Sequence, residues 1–212
     1  MPASAKPPHR APQAWEFVPQ DYFARLPHDA IFPAGGPLEV DLGCGDGSFL
    51  LAMATEFPER RFLGVERLLG RARKVCRRAA RANLLNIKVL RLESRYTVEW
   101  LLAPESVSRL HLLCPDPWPK VRHHRRRLVQ QEFLDAVERV LVPGGEFLFK
   151  TDHAEYFQWV AAEVASHGAL TELPWEEDDF FYPKTDFQQH WEGQGKPIYQ
   201  ARYRRPGETA GN

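Results

Sequence analysis

The chain has 212 residues, 43% of them hydrophobic and 26% charged, the size and balance of one globular domain rather than of a disordered or fibrous chain. Lys plus Arg and Asp plus Glu both number 28, so net charge alone neither requires nor excludes a polyanionic partner. Cys44, Cys76 and Cys114 lie far apart, which implies no disulfide framework, no metal spacing and the reduced thiols of a cytoplasmic protein, and no apolar run approaches membrane-spanning length.

Residues 1–20 read as a flexible basic tail rich in Pro and Ala, without an apolar signal core, and residues 21–212 as a single domain. Leu38 to Leu42 is a short apolar strand, and Asp46 to Phe57 a helix that Pro58 ends. Arg61 to Val65 is a second strand, Leu68 to Asn83 an amphipathic helix, and Lys88 to Leu92 a third strand. Arg71, Lys74, Arg78 and Arg81 form one stripe of that helix and read as a solvated face. Val98 to Leu102 lies in a short helix, and Leu110 to Leu113 is a fourth strand. Arg127 to Leu141 carries Leu128, Phe133, Leu134, Val137 and Leu141 at helical spacing. A Pro143-Gly144-Gly145 turn leads to a fifth strand, Glu146 to Lys150, then a helix, Ala154 to Ser166. An irregular acidic and aromatic stretch, Trp175 to Tyr182, precedes a last strand at Ile198 to Tyr203. Alternating strands and helices predict a mostly parallel sheet with helices on both faces. Its ligand belongs beyond the strand C-termini, between the first and fourth strands.

The loop Val40-Asp41-Leu42-Gly43-Cys44-Gly45-Asp46-Gly47 follows a strand and opens a helix. A dinucleotide fingerprint would place its third glycine three residues after the second, where this chain has Ser48. Asp41 would serve a pyrophosphate badly and a cationic, zwitterionic ligand well. S-adenosylmethionine fits that description, and a dehydrogenase cofactor is the weaker alternative. Glu66 ends the second strand, placed to accept from ribose hydroxyls. Glu93 ends the third, placed for an adenine amino group, with Ser94 competing for that role.

Cys114-Pro115-Asp116-Pro117-Trp118-Pro119-Lys120 is followed by Val121-Arg122-His123-His124-Arg125-Arg126-Arg127. Three alternating prolines forbid helix and ladder pairing and predict a stiff, extended loop. Its carboxylate and indole beside a cationic lip suit a nucleobase of a polyanion. Trp118 reads equally as a stacking wall or as a core residue, and His123 and His124 as phosphate or sugar contacts.

Together these motifs resemble the bacterial tRNA (guanine-N7)-methyltransferases, class I S-adenosylmethionine-dependent enzymes. The resemblance rests on the Asp41 to Gly47 loop, Gly64-Val65-Glu66, the proline loop with its His/Arg block, Thr151-Asp152, and Thr185-Asp186-Phe187-Gln188. It implies a Rossmann-like α/β fold with an antiparallel C-terminal strand, and methylation of a tRNA guanosine at N7, in the variable loop at position 46. Asp41, Gly43, Gly45, Gly47, Glu66, Glu93 and Asp116 would hold the cofactor, with Asp116 also catalytic. Lys120, Asp152, Thr185 and Gln188, together with Arg125 and Arg126 of the basic block, would contact the tRNA. Asp41 stands where the family often has Glu, Cys114 where it has Phe, and Gln188 where it has Glu. Neither a metal nor a membrane is expected, and a monomer and a homodimer fit equally. Two alternatives stay open: methylation of an exocyclic amine of RNA, which the Asp116-Pro117-Trp118 order loosely echoes, and RNA binding with weak or no catalysis.

Overall fold

The computed structural model describes residues 14–175 and 180–207. The chain runs β1 (Glu16–Phe17), α1 (His28–Ile31), β2 (Leu38–Leu42), α2 (Ser48–Glu56), β3 (Arg61–Val65), α3 (Leu69–Arg81) and β4 (Ile87–Leu90). It continues with α4 (Ser94–Tyr96), a π turn (Thr97–Leu101), β5 (Val107–Leu113), a 3-10 turn (Val121–Arg126) and α5 (Gln131–Val140). The last elements are β6 (Leu141–Thr151), α6 (Ala154–His167), β7 (Thr171–Leu173), α7 (Asp186–Glu192) and β8 (Tyr199–Arg204). All eight strands form one sheet in the order β1-β4-β3-β2-β5-β6-β8-β7. Pairing is parallel from β1 through β6 and antiparallel at β6–β8 and β8–β7. This is the fold expected of class I methyltransferases.

Burial explains the helices. Ala72, Val75, Cys76 and Ala79 recur at helical spacing and are buried along α3, while Phe133, Leu134, Val137 and Val140 do the same for α5. These stripes close opposite faces of the sheet. Strand order reverses at β2, whose neighbours are β3 and β5, so a crevice opens above the C-termini of β2 and β5.

Four expectations are corrected. Glu16–Phe17 pairs in parallel with Val89–Leu90, and Trp15 Nε1 donates to the Leu84 carbonyl at 2.8 Å, so the tail gives way to sheet before residue 20; residues 1–13 of that tail lie outside the described residues. The helix expected from Arg127 starts at Gln131, because residues 121–126 form a 3-10 turn and Arg127 is drawn inward. The proline loop is not simply extended: Cys114 and Trp118 take φ values of 53° and 45°, a left-handed backbone that costs non-glycine residues about 1 kcal/mol each. On α3, Lys74 and Arg78 are ion-paired with Asp46 at 3.2 and 3.1 Å rather than merely solvated.

Across β2, β5, β6 and β8 a stripe of one sheet face carries charge instead of apolar side chains. Glu39 faces Arg109 across β2–β5, Arg109 faces Glu146 across β5–β6, and Glu146 faces Arg204 across β6–β8. Glu146 accepts from Arg202 at 2.6 Å and Arg204 at 2.9 Å. Phe180 closes this stripe, with Arg109 and Arg202 at 5.1 and 4.7 Å from its ring centre. The acidic core of the Trp175–Tyr182 stretch, residues 176–179, lies outside the described residues.

Candidate active site at the strand C-termini

The glycine loop leaves β2 and enters α2 within five residues, which forces Gly43, Gly45 and Gly47 to positive φ. At Gly47 a side chain is excluded twice over: φ is 81°, and a Cβ would stand 2.7 Å from the Val75 side chain. The loop therefore lies flat on α3 and leaves the space above β2 clear.

A cleft of about 410 Å³ opens there. Gly43, Glu66, Glu93, Asp116 and Arg126 line it together, joined by Ser94 and Trp118. Glu66 is buried, and its carboxylate accepts from the Leu68 amide at 2.7 Å, which fixes it at the end of β3. Glu93 accepts from the Tyr96 amide at 2.8 Å, capping α4, so its position is set by the helix it starts. Asp116 is exposed in the cleft wall. Asp41, Gly45 and Gly47 lie behind this lining. Burial pushes the Asp41 carboxyl up to about 7, and the Glu66 carboxylate adds to the rise. A cationic ligand group would be attracted to these two acids. The acids present therefore fit a sulfonium-bearing nucleoside.

Of the remaining expected residues, Arg126 lines the cleft, whereas Lys120, Arg125, Asp152, Thr185 and Gln188 do not. Lys120, Arg125 and Arg126 are all exposed, and Arg126 stands over the Trp118 ring at 4.9 Å. Trp118 also meets His123 edge-on at 5.9 Å, which makes it a wall of the cleft rather than a core residue. Asp152 follows β6, and burial followed by Asp152 pushes the Cys114 thiol up to about 12, so Cys114 stays a neutral thiol. Thr185 caps α7 by accepting from the Gln188 amide at 3.0 Å. The Asp186 amide donates to Ser48 Oγ at 3.2 Å, which seats the start of α7 against the start of α2. Gln188 is buried: its oxygen accepts from Lys150 Nζ at 3.4 Å and its nitrogen donates to Glu192 at 2.8 Å.

Several contributors escaped the sequence reading. Arg67 and Arg95 line the cleft without a motif signal, and Arg71, read as part of a solvated stripe, lines it as well. Lys150 lies under the rings of Trp175 and Tyr182 at 5.0 and 4.9 Å. Tyr182 meets His111 Nδ1 at 2.7 Å, His111 Nε2 meets Glu39 at 2.9 Å, and Arg60 donates to Glu39 at 2.7 Å. Burial works to raise the Glu39 carboxyl, but hydrogen bonds from His111 and Arg60 outweigh it and hold the group below its usual range. This chain ties the segment leading into α7 to the sheet.

The family model described as "Putative methyltransferase" matches residues 35–201. The tRNA (guanine-N(7)-)-methyltransferase of Syntrophotalea carbinolica is 36% identical, covering 83% of this chain and 77% of its own. The chain belongs to the tRNA (guanine-N7)-methyltransferase family. The family's enzyme in Rubrobacter xylanophilus is also 36% identical, over 83% of this chain and 80% of its own. Among solved structures, the antibiotic-resistance methyltransferase Kmr superposes with a TM-score of 0.60 at 19% identity, over 85% of this chain and 92% of that one. The 16S rRNA methyltransferase KamB does so with 0.60 at 18%, over 84% and 92%. These two structures share the fold. The cofactor of the tRNA (guanine-N7)-methyltransferase family is S-adenosylmethionine, the nucleoside that the acids of the cleft fit. Among the described residues no helix is long and apolar enough to cross a membrane, and no cluster of His, Cys, Asp or Glu is arranged to hold a metal.

Proposed function

We propose that this protein transfers a methyl group from S-adenosylmethionine to N7 of a guanosine in cytoplasmic tRNA, at position 46 of the variable loop. The observation that carries the reading is the convergence of Glu66, Glu93 and Asp116 on one cleft whose rim is the cationic lip. The names of its relatives support the tRNA guanine as target.

Bound cofactor supplies an electrophilic methyl group on a cationic sulfonium. Glu66 would accept from the ribose hydroxyls, Glu93 with Ser94 would take the adenine amino group, and Asp41 would offset positive charge next to the glycine loop. Guanine N7 has an in-plane lone pair and no proton, so no general base is needed. Positive charge moves from the sulfonium to the purine during transfer. Asp116 and Asp152 are the carboxylates placed to stabilise it, and fixed charge of this kind is the main source of catalysis in a site that only orients. Lys120, Arg125 and Arg126 would hold tRNA phosphates, and Thr185 would face the base from the start of α7, where Gln188, engaged by Lys150 and Glu192, supports the helix rather than the base.

The test is nucleoside mass spectrometry of tRNA incubated with the protein and methyl-labelled S-adenosylmethionine. Labelled 7-methylguanosine is expected, and it should vanish in a transcript with adenosine at position 46. Label in an N-methylated amine, or none, would overturn the reading.

A further inference from the structure

The proline loop is strained at both ends, at Cys114 and Trp118, and carries Asp116 between them. Strained backbone persists only where its surroundings over-determine it. At one end the Cys114 amide donates to the Lys150 carbonyl at 2.7 Å. At the other, Arg127 Nε donates to the Pro117 carbonyl at 3.0 Å. Among the described residues, that is the hydrogen bond made to the loop's main chain between Pro115 and Pro119.

Arg127 is unlike the other cations of its run. It is 0% exposed. Its Nη1 donates to Glu155 Oε1 at 2.9 Å, and its Nη2 pairs with the other oxygen of the same carboxylate. The guanidinium carbon lies 5.0 Å from the ring centres of both Tyr156 and Trp159. The Arg127 carbonyl accepts from Arg95 Nη2 at 3.1 Å, and Arg95 lines the cofactor cleft. The guanidinium thus joins the proline loop to the first turn of α6, just after Asp152, while the main chain of the same residue holds the α4 wall of the cleft. A planar fork is pre-organised for such a task, whereas an ammonium is a single point of attachment.

We infer that Arg127 is a positioning residue for methyl transfer: its buried guanidinium, braced by Glu155, holds the Pro117 carbonyl and so fixes Asp116 and Trp118 against the cleft. The inference rests on the reaction proposed above. A solvated phosphate-binding arginine would reach outward. This one is buried, forked onto a carboxylate and joined to the loop that presents the carboxylate of Asp116.

The experiment compares wild type, Arg127→Lys, Glu155→Gln, Asp116→Asn and the Asp116→Asn/Arg127→Lys double variant. Glu155 has a half-exposed side chain, so its isosteric replacement tests the brace should Arg127→Lys fail to fold. For Arg127→Lys we expect kcat to fall at least tenfold, with tRNA KM and S-adenosylmethionine Kd changing less than threefold. Glu155→Gln should fall in the same direction by a smaller factor. In the Asp116→Asn background the lysine should cost little more, because a residue acting through Asp116 has nothing left to position. Additive losses, or a wild-type kcat in folded Arg127→Lys or Glu155→Gln, would overturn the inference. Hydrogen exchange over residues 114–121 gives a reading independent of turnover. It should speed up in Arg127→Lys and Glu155→Gln, and unchanged protection would also overturn the inference. A wild-type protein that leaves tRNA unmethylated counts against the proposed reaction, while the exchange measurement still decides for or against the brace.

Discussion

The Arg126 guanidinium sits 4.9 Å over the Trp118 ring and lines the cleft, while Arg125, one residue before it, does not line it. Two adjacent cations therefore serve different surfaces. Arg125→Ala should weaken tRNA binding and flatten its salt dependence by roughly 0.7–0.9 in log–log slope for each phosphate it no longer neutralises, with cofactor affinity unchanged. Arg126→Ala should lower affinity for both tRNA and S-adenosylmethionine. Filter binding across a salt series and calorimetry decide the point. Equal effects of the two variants on cofactor affinity would refute it.

Glu66→Ala should weaken S-adenosylmethionine binding by about 1–3 kcal/mol, the scale of removing a charge-assisted hydrogen bond. NAD should not bind either protein. Calorimetry with both ligands is the check, and measurable NAD binding would contradict the expectation.

Asp116→Asn keeps the loop's shape and removes its charge. Single-turnover methylation should fall about 10²–10³-fold, as when one pre-organised stabilising group is removed. The wild-type rate should be flat across neutral pH, since N7 gives up no proton. A rising limb near neutrality that disappears in the Asn variant would instead show proton abstraction and favour amine chemistry.

Asp41 links stability to pH. Its carboxyl is raised by burial and by Glu66 to about 7, against an ordinary 3.8. A raised folded pKa means stability is fully present below about pH 4 and is lost as pH climbs towards 7, at up to about 1.4 kcal/mol per unit. Asp41→Asn removes that loss. Urea melts of the cofactor-free proteins should show the variant gaining on wild type from pH 4.5 to 7.5. A constant difference would mean that Asp41 is charged throughout.

Gln188→Glu, a change that from sequence alone promises equal or better turnover, reads differently once its neighbours are known. The amide nitrogen donates to Glu192 at 2.8 Å, so a glutamate would face a second carboxylate there. The variant should lose about 1 kcal/mol of stability at neutral pH and regain it on acidification or with Glu192→Gln. Thermal melts of the single and double variants test this, and a stabilised single variant would show that Lys150 alone governs the site.

The motifs named Gly43, Glu66, Glu93 and Asp116 of the cleft lining, but not Arg67, Arg95 or its apolar floor. Strand ends carry Glu66 and Glu93 because a parallel sheet must open at its C-terminal edge, and glycines mark the loop because only they accept its backbone. Leu38–Leu42 and Arg61–Val65 stand where apolar runs put them. What stayed hidden depends on pairings distant in sequence. Nothing in the Arg/His run that ends at Arg127 sets that residue apart, since its partner Glu155 lies 28 residues on. The two-residue strand β1 is too short to show a period. Gln188 reads as a substrate contact by motif, and only the packing of α7 shows its amide already engaged on both sides.

The place of β8 in the sheet has a consequence for biosynthesis. It lies between β6 and β7, both made before it. Until residues 199–204 leave the ribosome, the open edge of β6 has no neighbour on that side, and the Glu146 carboxylate lacks Arg202 and Arg204. A nascent chain stalled short of that strand would present a long, unpaired apolar edge, the surface on which aggregation starts and which chaperones shield. Completing the sheet is thus a late, C-terminal event, although the cofactor loop is among the first parts of the domain to be translated.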